Sequence, residues 1–141
     1  MLETVGDIWE LSGSAVLAIT TNGSVTKDGR AILGRGVARQ ALLRYPDIQE
    51  TLGRLLRQTG NHVHLLAPGL ISFPVEETAW ALPDVRLIAR SACELRLLAD
   101  SEGWSRVVVP RPGCGGGGLM WGEVRHLLAA HLDDRFTIIS Y

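Results

Sequence analysis

Apolar positions along the chain follow two spacings. Short unbroken apolar runs at 15–20, 106–109 and 136–140 carry no helical period and predict buried strands. Elsewhere apolar residues return every three or four positions. In 34–45 these are Val37, Ala38, Ala41 and Leu42, and after Pro46 they are Ile48, Leu52, Leu55 and Leu56. The clearest helical stretch is 84–102, with Ile88, Ser91, Ala92, Leu95, Leu98 and Ala99 in register, and a further helix is predicted over 121–132. Asp47 and Glu50 have the spacing of a capping box ahead of the second helix. Residues 62–66 and 70–73 read as strands joined through Ala67-Pro68-Gly69, a hairpin signal. Strands alternating with helices predict an α/β layered domain, and the hairpin predicts a mixed central sheet.

Composition narrows this picture. With 141 residues and no shift in composition, the chain is expected to form a single domain over 1–141. The formal net charge of -1 provides no general basic field, so nucleic-acid contact lacks support from charge. The apolar runs are too short to span a bilayer and Met1-Leu2-Glu3 starts no signal peptide, so no membrane partner is expected. Cys93 and Cys114, the only cysteines, read as reduced thiols, which predicts a cytoplasmic location.

Candidate chemistry concentrates in two glycine-bearing loops that run from a strand into a helix. One is 20–36, rich in Gly and Asn; the other is PGCGGGGLMW, 112–121. In α/β sheets ligands bind beyond the carboxyl ends of the strands, where unpaired N–H groups and the helix dipole favour an anion. Glycine lets a phosphate approach the backbone, so the two loops predict two nests for a phosphate-bearing ligand. Gly113, Gly115 and Gly118 match G-x-G-x-x-G. Only residues 119–141 follow, however, too few for the rest of a dinucleotide-binding unit, and no P-loop motif occurs.

The motifs GDIW (6–9), TTNGSV (20–25), GRGVARQA (34–41), ISFP (71–74) with Trp80, and RPGCGGGGLMW (111–121) together resemble a macrodomain. They are most similar to the branch with the terminal ADP-ribose glycohydrolases and the DNA ADP-ribosyl glycohydrolase antitoxins. The resemblance implies a three-layer α/β/α fold with an ADP-ribose cleft and no cofactor. It implies that Asp7 accepts from the adenine amine, with the Ile8 backbone amide beside it, and that Asn22 lies near the distal ribose. Gly34, Arg35, Gly36 and Val37 would wrap that ribose and the diphosphate. Gly113, Cys114, Gly115, Gly116, Gly117, Gly118 and Leu119 would form the phosphate loop. Tyr141 either packs on adenine or is a frayed terminus. Two positions depart from the branch: its catalytic lysine, two residues after the proline of the F-P segment, is Glu76 here, and the phosphate-loop aspartate of the terminal glycohydrolases is Gly117. A carboxylate cannot form a Schiff base with an opened ribose. Glu76 is therefore the candidate catalytic group as a general base, with a solvated loop carboxylate as the plainer alternative.

The remaining reactive residues read more plainly. Cys114 is either a thiolate activated beside the glycine loop or a small buried residue; no base for it is identifiable. His62 and His64 alternate on a predicted strand, but no carboxylate or Cys cluster has metal-ligand spacing, so no metal is expected. Trp9, Trp80, Trp104 and Trp121 read as packing anchors, with Trp80 bordering the cleft. Arg30, Arg35, Arg39 and Arg44 read as a solvated face. Three function classes follow: an enzyme removing ADP-ribose from a modified protein or nucleic acid, a module that holds ADP-ribose without cleaving it, and an interaction protein that has lost the ligand.

Overall fold

A computed structural model describes all 141 residues. Its strands are β1 (Leu2–Val5), β2 (Val16–Asn22), β3 (Leu65–Ala67), β4 (Leu70–Glu76), β5 (Val107–Pro110) and β6 (Phe136–Ser140). Its helices are α1 (Gly36–Arg44), α2 (Ile48–Thr59), α3 (Val85–Glu102) and α4 (Trp121–Ala129), with a short 3-10 helix at Ile8–Leu11. The strands form one sheet in the order β1-β6-β5-β2-β4-β3. Every pairing is parallel except β3 with β4. The expected mixed sheet and α/β class are what the chain forms.

Why the strand runs are unbroken follows from the layers. Leu17 and Ile19 of β2 and Val108 of β5 point to one face, where they pack with Val37, Ala41, Leu52 and Leu56 of α1 and α2. Ala18, Val107 and Val109 point to the other, with Ile88, Leu95, Val124 and Leu128 of α3 and α4. A strand covered on both faces has no polar side to show, so it loses the alternation of a half-exposed strand. Helix α3 begins where Asp84 accepts from the N–H groups of Arg86 and Leu87 (2.8 and 3.4 Å), and stops at Gly103, φ +69°.

Several local expectations are corrected. β1 has no signal in the apolar pattern, because all four of its residues are exposed at the sheet edge. Polar side chains tie it down instead: Glu3 accepts from Trp121 Nε1 (2.8 Å) and Arg125 Nε (2.9 Å). The capping box does not form. Asp47 is helical in its own backbone and caps nothing, while Glu50 lies 3.4 Å from Arg30. The first strand of the hairpin is Leu65–Ala67 rather than 62–66. His62 and His64 lie outside the paired residues, although the His64 carbonyl accepts the Ser72 N–H (2.9 Å), and their rings bond Glu94 (2.8 Å) and the Gly60 carbonyl (3.0 Å). β4 continues past Phe73 through Pro74 to Glu76. Proline is tolerated there because β3 pairs with β4 only at Leu70 and Ile71, so no ladder donor is missed on that side. The last helix closes at Ala129, three residues before its expected end at Leu132.

Candidate functional site

Five parallel strands release their following segments at one edge of the sheet. Asp7 and Ile8 follow β1, Tyr141 follows β6, the glycine loop follows β5, the first loop follows β2, and Glu76 ends β4. Residues far apart in the chain are thereby placed side by side along one rim.

The first loop is built on α2. Asn22 ties its two ends together, donating from Nδ2 to the Ile32 carbonyl and accepting the Ser24 N–H, both at 3.0 Å. The Arg57 guanidinium donates to the carbonyls of Thr26 and Lys27 (3.0 and 3.2 Å). Gly53 lets the loop sit on the helix: a Cβ there would lie 1.9 Å from the Gly29 carbonyl oxygen. The loop delivers Gly34-Arg35-Gly36 to the start of α1. Arg35 occupies the cap position without a side-chain cap, and the N–H groups of Gly36, Val37 and Ala38 have no protein acceptor.

The second loop shows why so many glycines are fixed together, and they are not equivalent. Gly113 is required by its backbone, φ +74°, and Gly117 by packing, since a Cβ there would stand 2.5 Å from Pro83 Cγ and 2.7 Å from the Gly113 carbonyl oxygen. Gly118 is required by its backbone, φ +82°. A Cβ on Gly115 would meet nothing within 4 Å, and one on Gly116 would meet only the Arg35 guanidinium, at 3.7 Å. The loop is pinned by Leu119 N–H to the Gly113 carbonyl (2.9 Å) and Gly118 N–H to that of Gly115 (3.3 Å). The N–H groups of Gly115, Gly116 and Gly117 are left without a protein acceptor. Three consecutive free donors beside the free start of α1 are an arrangement suited to an anion. Cys114 packs at the edge of the core, and burial pushes its thiol up, away from a reactive thiolate.

Glu76 is not a solvated loop residue. It is only 8% exposed and pairs with Arg35 at 3.2 Å. Burial pushes its carboxyl above the ordinary carboxylate range, and the Arg35 guanidinium offsets part of that push. The pair borders a cleft of about 240 Å³ lined also by Thr21, Asn22, Gly34 and Ala38. The Thr21 hydroxyl is buried there without a hydrogen-bond partner. Sequence reasoning misses both Thr21 and the Arg35–Glu76 pairing. Thr21 is two residues past Ile19 on the face toward α1, the one signal that could have found it. A larger cavity of about 330 Å³ lies at the opposite edge, beside Ser14, Tyr45, Gly69 and Trp104.

At the far end of the rim, Asp7 accepts the Trp9 N–H on Oδ1 (3.0 Å), which starts the 3-10 helix and leaves Oδ2 without a protein partner. The Ile8 side chain is buried while its N–H has no acceptor. Tyr141 is 80% exposed beside them, since Ser140 pairs with Val5. Trp9 and Trp121 do anchor packing, each under an arginine (Arg44 at 4.4 Å, Arg111 at 4.9 Å). Trp80 does not, being 83% exposed. Arg35 stays solvated, as expected, while its guanidinium reaches Glu76.

No protein-family model matches the chain, and no curated protein matches it. Solved structures do. The macrodomain of Mycobacterium tuberculosis DarG superimposes with a TM-score of 0.80 at 22% identity, covering 99% of this chain and 97% of that one. The macrodomain of Thermus aquaticus DarG gives 0.75 at 18% identity, covering 99% and 97%. Thermosipho africanus DarTG, solved in complex with ADP-ribose, gives 0.78 at 18% identity, covering 98% of this chain and 41% of that one. The chain has the macrodomain fold.

Proposed function

We propose that this protein binds ADP-ribose along the carboxyl edge of its sheet. The observation that carries the reading is the run of free N–H donors at Gly115, Gly116 and Gly117 beside the unpaired start of α1. These donors suit a diphosphate without a lysine cluster. From β1 to β4 the rim crosses four strand spacings, roughly 19 Å, room for an extended ligand with a base at one end and a second sugar at the other. Asp7 Oδ2 and the Ile8 N–H are an acceptor and donor for the adenine edge, with Tyr141 beside them. Glu76, Asn22 and Thr21 enclose the distal ribose. The likeness to part of a chain solved in complex with ADP-ribose supports ADP-ribose as the ligand. Calorimetric titration with ADP-ribose is expected to give saturable one-site binding; no heat and no protection from thermal unfolding overturns the reading.

We further propose that the bound group is removed from a modified protein or nucleic acid in the cytoplasm. Glu76 would take a proton from the attacking water, a role that its burial favours by raising its basicity. With a carboxylate at this position, borohydride should trap no adduct, and Glu76→Gln should abolish release of ADP-ribose. An active Glu76→Gln enzyme removes Glu76 from the chemistry. Binding without turnover in the wild type assigns the protein to the non-catalytic readers, the second reading that the absence of an amine favours.

A further inference from the structure

We propose that Arg35 is an exchange arm: it holds Glu76 in the empty cleft and moves onto the diphosphate when ligand enters, releasing the carboxylate. This deepens the reading of the site as an ADP-ribose cleft and rests on it. The geometry of the arm is specific. Arg35 leaves the backbone at the N-cap of α1 yet makes no cap bond there, so its side chain is free of local duties. Its guanidinium donates to Glu76 Oε2 at 3.2 Å and lies 3.7 Å from the position a Cβ would take on Gly116. One planar group therefore reaches from the end of β4 to the loop whose free N–H groups await an anion. The side chain remains 66% exposed while that of Glu76 is only 11% exposed. The arginine is the partner able to swing, and the carboxylate is the fixed one.

Charge dictates the exchange. A diphosphate against Gly115–Gly117 brings anionic oxygens beside a guanidinium that already touches a carboxylate. Arginine forks bind phosphate oxygens bidentately, more strongly than one single-point contact to a carboxylate. The arginine end of the pair is solvated and makes a single contact, which lowers the cost of letting Glu76 go. Transfer to the diphosphate also brings the positive charge to where the ligand's negative charge lies, so Glu76 is freed only when a phosphate-bearing ligand is in place.

The arm is tested by calorimetry with ADP-ribose on wild type, Glu76→Gln, Arg35→Ala, Arg35→Lys and the Glu76→Gln/Arg35→Ala double variant. Thermal unfolding verifies that each is folded. Exchange predicts opposite effects from the two partners of one ion pair. Glu76→Gln frees the arm in advance and should tighten binding about two- to fivefold. Arg35→Ala should weaken it, and by more in the Gln background, about tenfold or more, because there no carboxylate contact is given up. Arg35→Lys, which keeps the charge and loses the fork, should fall between wild type and Ala. If both partners' loss weakens binding, or Glu76→Gln leaves it unchanged, Arg35 stays on Glu76 and the arm is refuted while the cleft stands. Failure of the wild type to bind refutes the cleft, and the arm with it.

Discussion

A Cβ on Gly117 would lie 2.5 Å from Pro83 Cγ and 2.7 Å from the Gly113 carbonyl oxygen, whereas one on Gly115 would meet nothing within 4 Å. Two glycines of the run of four, two positions apart, thus stand in different surroundings, one held by packing and one facing open space. Gly117→Ala should cost about 1–3 kcal/mol in urea unfolding, the usual range for overpacking. Gly115→Ala should leave stability within about 0.5 kcal/mol. Gly115→Glu should fold normally and lose ADP-ribose, because a carboxylate would then stand among the free N–H groups proposed to take the diphosphate. Normal ADP-ribose affinity in Gly115→Glu would move the diphosphate elsewhere. The sequence displays the glycine run and its anion logic plainly. It cannot show which glycine packs, since Pro83 comes from the segment before α3 and only the fold brings it alongside.

At the scale of elements, the first loop owes its shape to α2. Gly53 admits it and Arg57 holds it by two carbonyls. Arg57→Ala is therefore expected to speed hydrogen exchange over residues 23–35 while β2 and β4 keep their protection, with ADP-ribose affinity reduced. Uniformly faster exchange across the sheet would mean that Arg57 supports the fold at large. Asp84→Ala removes two capping bonds from α3 and should cost about 1 kcal/mol in the same unfolding assay. The elements legible in sequence are those buried on a whole face or two: β2, β5, β6 and the apolar stripes of α1, α2 and α3. Those that are not legible are held by polar side chains acting at long range. β1 depends on Trp121 and Arg125, more than a hundred residues away, and the 61–64 segment depends on Glu94. Such bonds leave no period in the local sequence.

For the molecule as a whole, five carboxylates divide into two groups that shape stability against pH in opposite directions. Glu3, Asp28, Asp100 and Asp133 are held below their ordinary values. The main causes are Arg125 at Glu3, the Thr26 hydroxyl at Asp28, and Arg135 at both Asp100 and Asp133. Their contribution is present above the ordinary carboxylate range and is lost as pH falls through their lowered values. All four lie at the surface, so salt should weaken this acid-side loss. Glu76 runs the other way. Burial outweighs Arg35 and raises its carboxyl, so between its ordinary value of 4.5 and its raised value the folded chain binds more protons than the unfolded one. Stability then declines as pH rises through that window. Glu76→Gln abolishes this term alone. Its melting temperature should exceed that of the wild type at pH 7, and the gap should shrink as pH is lowered toward 4, where the wild-type carboxyl is protonated as well. Differential scanning fluorimetry across pH 4 to 8 measures both profiles. A gap that is constant with pH would place the effect in side-chain packing rather than in ionisation, and a variant less stable than the wild type at pH 7 would show that the Arg35 contact outweighs the cost of burying the charge.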